Sequence, residues 1–408
     1  MTLFDTLREQ NIQTTCCISG GGPAGMMLGF LLARAGVEVT VLEKHADFLR
    51  DFRGDTIHPS TLELMKELGL LEAFLARPHQ KIYQLQGVVE GQKIIVADFS
   101  HLEVACPYIA LMPQWDFLNF LAEQARKYPS FHLRMQAEAT GFIEEDGRIT
   151  GITARTPEGL LKINALLSIG ADGRHSALRE KAGLRVEDSG APIDVLWMRL
   201  SRKPDDPDQP LGNFDRGRAF VMIYRGDYWQ CAYVIAKGGY DAIRSRGLDR
   251  FREDIAAIAP FMRNRVEELA SWEDIKLLTV AVDHLPRWSR PGFLCIGDAA
   301  HAMSPVGGVG INLAVQDAVA AANRLAGPLK SGHVKDSDLR GVQRRRAWPA
   351  RLIQRIQIFI HAHVFGSIGR NPPRRGVPLV LKLFSRIPFL RRIPAYIVGI
   401  GFRPEHIR

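Results

Sequence analysis

The chain contains no run of 18 uninterrupted apolar residues, so no helix of it is expected to span a bilayer. Cysteine is scarce and odd in number: Cys16, Cys17, Cys106, Cys231 and Cys295. Their spacing matches neither paired metal ligands nor a disulfide framework, so no metal site is expected. Cys16, Cys17 and Cys295 fall within apolar, strand-like runs and read as small core residues. The first ten residues carry Asp5, Arg8 and Glu9 and lack the apolar centre of a signal peptide. A cytoplasmic location is therefore expected. Acids are nearly missing from the tail. From Arg340 to Arg408 there are 15 Lys and Arg against Glu405 alone, a net +14 in a chain whose total is +9, which leaves −5 for everything before it. Aromatic residues are not interleaved with these arginines in a base-stacking pattern, so no nucleic-acid partner is expected.

What the chain does have is glycine and aspartate at three separated places. The first cluster, Gly20-Gly21-Gly22-Pro23-Ala24-Gly25, follows the apolar run Thr14–Ser19. The pattern predicts a helix over Pro23–Gly36 and a second strand over Glu38–Leu42, which together form a βαβ unit. In such a unit Gly20 permits the tight turn, Gly22 lets a pyrophosphate come close, and Gly25 lets helix and strand pack closely. The helix start at Pro23 and Ala24 offers free N–H groups and a positive dipole end to phosphate. Glu43, followed by Lys44, closes the second strand where a carboxylate can accept ribose hydroxyls. The second cluster, Ala171-Asp172-Gly173-Arg174-His175-Ser176, follows a predicted strand over Ala165–Gly170. In the third, an apolar strand ends at Gly297-Asp298, and the chain turns through Pro305, Gly308 and Gly310 into an alanine-rich helix that contains Ile311 and Asn312. Asp298 can hold the hydroxyls of a polyol chain. The glycines allow backbone N–H groups to approach a flat ring. One ligand that joins all three clusters is a long phosphate-linked dinucleotide, read here as FAD. His175 and His301 read as structural.

Elsewhere, helices are predicted over Thr61–Leu70, Asp116–Tyr128, Leu248–Leu269 and Gly310–Leu325. A hairpin is expected around Asp146-Gly147. Strands dominate Ala191–Ala236.

These clusters, in this order and spacing, resemble the para-hydroxybenzoate hydroxylase-like (group A) FAD-dependent monooxygenases over roughly Cys16 to Ala326. Asp172-Gly173, running on through Arg174, Ser176 and Arg179, is similar to the family's middle motif, which serves both FAD and NAD(P)H. Gly297-Asp298 is similar to the motif that holds the ribityl chain, and Pro305 to the proline beside the isoalloxazine. Arg53 resembles the family arginine that meets the flavin or the nicotinamide. Gln114 resembles the residue that touches the FAD linker. The chain lacks the Trp-x-Trp-x-Ile-Pro segment of flavin-dependent halogenases, which argues against halogenation.

The resemblance implies an α/β fold. Its FAD-binding Rossmann-like βαβ domain would be assembled from residues 1–78, 102–182 and 277–332. A mostly antiparallel β-sheet substrate domain would come from 79–101 and 183–276. A basic C-terminal helical region would occupy 333–408. It also implies reduction of FAD by NAD(P)H, formation of a C4a-(hydro)peroxyflavin with O2, and hydroxylation of an aromatic, polyketide-type or quinone-like small molecule. An FAD-dependent reductase acting, for example, on an isoprenoid, or a non-catalytic FAD-binding protein, are the alternatives. No catalytic acid or base is assigned. Trp197, Arg199, Tyr224 and Tyr233, with Trp229, are the candidate substrate contacts, because alternation sets Trp197 and Arg199 on one face of a strand. The tail fits either helices packed on the core with solvated arginines or a peripheral contact with a membrane.

Overall fold

The computed structural model describes residues 10–49, 56–207, 211–215, 217–366, 368 and 379–408. Arg53 lies outside them.

The strand Gln10–Ser19 ends in Cys16, Cys17 and Ile18, all fully buried, and the whole of Val39–Leu42 is buried. Strands buried this completely belong at the centre of a parallel sheet with covered faces. The first strand runs parallel to Val39–Leu42 on one side and to Gly159–Gly170 on the other. Phe131–Arg134 extends the first side and Phe293–Cys295 the second, both in parallel. Register aligns Ser19 with Leu42 and with Gly170, and Gly170 with Cys295. Four strands therefore deliver their carboxyl ends to one edge. The strand order reverses about the first strand, which makes that edge a topological switch point, the usual seat of a ligand in open α/β sheets. Helices Pro23–Arg34, Gln114–Ala125 and Gly310–Lys330 pack on this sheet and on one another.

The strands Glu138–Glu145 and Arg148–Thr156 form the expected hairpin. Asp146 (φ 48°) and Gly147 (φ 76°) make its turn, and the hairpin continues antiparallel onto Gly159–Gly170.

A second, seven-stranded sheet runs in the order Lys276–Leu278, Ile193–Ser201, Tyr228–Ala236, Arg218–Tyr224, Leu211–Asp215, Gln84–Val89, Gln92–Asp98. All its pairings are antiparallel except Leu211–Asp215 with Gln84–Val89. Its two faces are different. Leu196, Met198, Leu200, Phe220, Met222, Cys231 and Tyr233 pack on the helix Leu248–Ile258. Ile193, Val195, Trp197, Val221 and Val234 point the other way. That helix is shorter than predicted. It stops at Ile258 because Pro260 forces Ala259 out of the helical region (φ −130°, ψ 75°), and 3₁₀ turns carry the chain on to Leu269.

The C-terminal part forms a 25-residue helix, Asp336–Ile360, then a π-helical turn His361–Phe365, then shorter helices at Leu379–Arg386 and Arg392–Gly399. Among the described residues no helix is long and apolar enough to cross a membrane.

Candidate active site

All the loops that leave the shared sheet edge open onto one cavity of about 2130 Å³. Pockets that hold one drug-sized ligand run to roughly 300–1,000 Å³, so this one has room for two. Gly20, Gly22, Pro23, Ala24, Glu43, Lys44, Gln114, Asp172, Asp298, Pro305, Gly308, Gly310 and Ile311 all line it. Gly25, Gly297 and Asn312 stand behind the wall instead. A Cβ on Gly25 would lie 1.9 Å from the Gly20 carbonyl oxygen, and Gly297 (φ 60°) turns the chain against Ala24. The Asn312 side-chain oxygen accepts hydrogen bonds from the Ser60 and Thr61 hydroxyls, each at 2.7 Å.

The glycine turn is held from two sides. Gly20 adopts φ 107°, and a Cβ there would sit 2.3 Å from the Ala171 carbonyl oxygen, so the first and second clusters touch through backbone. The Gly21 amide donates to Glu43 Oε2 at 3.1 Å, and the His45 amide donates to Oε1 at 3.0 Å. These bonds fix a nearly buried carboxylate at the cavity wall. Among the described residues, apart from its chain neighbours, a Cβ on Gly22 would meet nothing within 4 Å, so that side of the residue is open to the cavity. The helix begins immediately afterwards with Pro23 in its first turn, and the amides of that turn have no partners within the helix.

Asp172 is a half-buried residue whose Oδ1 is shielded and has spare acceptor capacity. Its Oδ2 receives a long bond from the Leu178 amide (3.5 Å), and among the described residues Oδ1 has no hydrogen-bond partner. Burial pushes this carboxyl above the ordinary aspartate range, against the lowering effect of Ser176 and neighbouring amides. An unpaired buried oxygen is costly unless a ligand donor meets it. The consequence for stability has a definite sign. Above the ordinary value of about 4 the folded protein keeps a proton that the unfolded chain gives up, so FAD-free stability falls as pH rises through this window. Asp172→Asn is expected to remove that loss. Melting curves of the two FAD-free proteins from pH 4 to 7 should diverge in favour of the variant as pH rises, and parallel curves would contradict it.

The second and third clusters are stitched together by Arg179. Its guanidinium donates to the Arg174 carbonyl (2.8 Å) and the Ala299 carbonyl (3.2 Å). Arg174 also stands 3.7 Å from Asp298 across the cavity wall. Beyond Pro305 the backbone turns left-handed at Gly307 (φ 82°) and Gly308 (φ 64°), and Thr56 donates to the Gly308 carbonyl at 2.8 Å. The helix Gly310–Lys330 then starts at the cavity. His301 is not part of the wall. It is buried, and its Nε2 lies 2.6 Å from Asp317. His175 lies on the wall and is exposed.

The far half of the cavity is apolar. One side is the sheet face that carries Ile193, Val195, Trp197, Val221 and Val234. The other is a stripe of the C-terminal helix and turn, Ile356, Phe359, Ile360 and His363. Of the four candidate substrate contacts only Trp197 is there. Arg199 shares its face but is exposed further along the strand, with its guanidinium 3.9 Å over Tyr228. Tyr233 lies opposite Leu196 in the pairing and packs with Phe251 on the other face of the sheet. Tyr224 and Trp229 stack edge to face in that same core. The helical stripe went unread in the sequence, although its spacing of i, i+3, i+4 and i+7 is that of one apolar face.

The FAD binding domain family model matches residues 13–355, most of the chain. The 6-methylpretetramide 4-monooxygenase of Streptomyces rimosus is 32% identical over 386 residues, which cover 93% of this chain and 91% of that one. The chain belongs to the group A flavin monooxygenases. The para-nitrophenol 4-monooxygenase of Pseudomonas sp. (strain WBC-3) is 25% identical over 345 residues, 81% of this chain and 82% of that one. An anhydrotetracycline hydroxylase from Streptomyces rimosus has the same fold, with a TM-score of 0.75 at 22% identity over 95% of this chain and 76% of that one. This flavin monooxygenase is thus an FAD-dependent oxidoreductase that acts on a small molecule and O2.

Proposed function

We propose that this monooxygenase uses NAD(P)H and O2 to hydroxylate a polycyclic aromatic molecule of polyketide type. The observation that carries the reading is one cavity of about 2130 Å³, polar at the glycine end and apolar between the second sheet and the C-terminal helix. The name of the 6-methylpretetramide relative supports the same substrate class.

The polar end fits FAD. Asp172 offers an unpaired buried acceptor, and the open side of Gly22 leaves space where a phosphate must approach. Glu43 would hold the adenosine ribose, the Pro23–Ala24 helix start the pyrophosphate, and Asp298 the ribityl hydroxyls. The backbone from Pro305 to Ile311 would flank the ring. FAD supplies the electron transfer and the oxygen activation. The chain's task is to orient both ligands and keep water from the ring, and the apolar walls around Trp197, Phe359 and Ile360 suit the second part. With Trp197 retained as a substrate contact, Arg199, Tyr224 and Tyr233 are dropped. A screen of polycyclic phenols and quinones for compounds that accelerate NAD(P)H consumption tests this reading. The accelerating compound should gain one oxygen atom, and a screen in which only monocyclic phenols respond would refute the substrate class.

The tail leaves Leu383, Ile387, Phe389, Ile393 and Tyr396 exposed among Arg386, Arg391 and Arg392. This favours a peripheral contact with an anionic membrane surface as a second property of the protein. It should sediment with anionic liposomes at low salt, and equal recovery in the supernatant with and without liposomes would remove the idea.

A further inference from the structure

The helix Asp336–Ile360 and the turn after it have two working faces. One is the apolar stripe on the cavity. On the other stand Gln354, Gln357 and His361, spaced i, i+3 and i+7, polar and at most 3% exposed. Polar side chains are rarely buried this deeply unless hydrogen-bonded, and here the two glutamines bond to the backbone that leads to Pro305 while His361 bonds to the Ser304 hydroxyl through Nε2 alone. The Gln354 amide donates to the carbonyls of Asp283 (2.7 Å) and Ala302 (2.9 Å). Gln357 makes three bonds. Its amide donates to the carbonyls of Ser304 (3.0 Å) and Val306 (2.9 Å), and its oxygen accepts from the Ser304 amide (3.1 Å). His361 Nε2 lies 2.8 Å from the Ser304 hydroxyl, which also accepts from the Val306 amide at 3.2 Å.

Gln357 therefore grips the residues on both sides of Pro305. Pro305 itself lines the cavity and has no amide hydrogen of its own to fix it. The next residues make one 3₁₀ turn, closed by the Gly308 amide on the Pro305 carbonyl (3.0 Å), and left-handed Gly307 and Gly308 interrupt any longer ladder. Burial keeps His361 below the ordinary imidazole value, which suits a neutral ring bonded to a hydroxyl.

We propose that Gln357, assisted by His361, is a positioning residue that sets Pro305 and its flanking backbone against the flavin ring. The inference rests on the functional reading above, in which that loop meets the ring. The C-terminal helix thereby builds the substrate wall with one face and fixes the ring side with the other.

The experiment compares Gln357→Met with Gln354→Met in the full-length FAD-loaded protein. Both substitutions remove hydrogen bonds to backbone from equally buried positions on one helix, but only the first touches the residues beside Pro305. Both should lower the thermal midpoint. Only Gln357→Met should change the visible absorption spectrum of bound FAD. It should also raise severalfold the share of NAD(P)H electrons recovered as hydrogen peroxide, because small misplacements of reacting groups slow the productive step. Should Gln357→Met fail to fold, His361→Phe, which removes only the bond to the Ser304 hydroxyl, should show the same spectral change in smaller measure. A wild-type spectrum and wild-type peroxide yield in these loop variants, or identical changes in Gln354→Met, would overturn the proposal. A wild-type protein that binds no FAD would instead overturn the functional reading on which it rests.

Discussion

Gly22→Ala should fold like the parent chain and purify without its yellow cofactor. Gly22 has φ −74° and ψ −175°, extended backbone that alanine adopts without strain. Among the described residues, apart from its chain neighbours, no atom lies within 4 Å of the added methyl. Loss of a glycine helix cap to alanine costs about 0.5–1 kcal/mol, and the stiffer unfolded chain returns about 0.4–1 kcal/mol. The methyl does, however, occupy the space that a pyrophosphate needs. FAD affinity should fall by at least about a hundredfold, or about 2.7 kcal/mol. Gly25→Ala gives the contrast. Its methyl would collide with the Gly20 carbonyl, so overpacking should cost about 1–3 kcal/mol, with FAD lost because the turn itself is displaced. Thermal melts of the FAD-free proteins separate the two cases. A Gly22→Ala protein that retains FAD with parental affinity would show that the phosphate site lies elsewhere.

Arg346→Leu should be among the most destabilising single changes in the chain. Arg346 is 1% exposed, and its Nε donates to Asp317 at 3.0 Å. Its Nη1 reaches the Arg403 carbonyl (3.3 Å) and Glu405 (3.5 Å), which ties the end of the chain to the centre. Asp317 is fully buried and also receives the Gly297 amide (3.0 Å) and His301. Burial alone would raise the pKa of Asp317. His301 beside it, with Arg346 and the Gly297 amide, brings it below the ordinary aspartate value instead. This carboxylate therefore contributes stability above a pH of about 4, and the contribution is lost as pH falls through the lowered value. Without Arg346 the buried carboxylate keeps His301 but loses its permanently charged partner, at a cost of about 3–5 kcal/mol near pH 7. Urea titration would measure it. Adding Asp317→Asn to Arg346→Leu should recover much of the loss, because the buried charge is then absent. A single variant as stable as the parent would mean that the network contributes nothing.

The glycine-lined end of the cavity was legible in the sequence for a physical reason. A backbone that must bend to φ 107° at Gly20, or pass within contact of another backbone at Gly25, accepts only glycine, so the geometry leaves its mark on residue type. Glu43 was legible as well, because a carboxylate at the end of a buried strand is conspicuous. The substrate end was not. Alternation says which residues of a strand share a face, and it rightly joined Trp197 with Arg199. It cannot say which residues of the next strand join them. That is set by register, and the pairing of Tyr233 with Leu196, and of Trp229 with Leu200, sends both aromatics to the opposite core. The C-terminal helix misled in another way. Its arginines suggested a solvated face, while the stripe Ile356, Phe359, Ile360 and His363 and the buried Gln354, Gln357 and His361 determine what it does.

The most direct test of the account is isotopic. With FAD, NAD(P)H and a polycyclic phenol that accelerates NAD(P)H consumption, the reaction is run under ¹⁸O2 in ordinary water. The account predicts a hydroxylated product that carries one ¹⁸O atom for each NAD(P)H consumed productively. A product whose oxygen comes from water, or a reduced product formed equally well without oxygen, would contradict it.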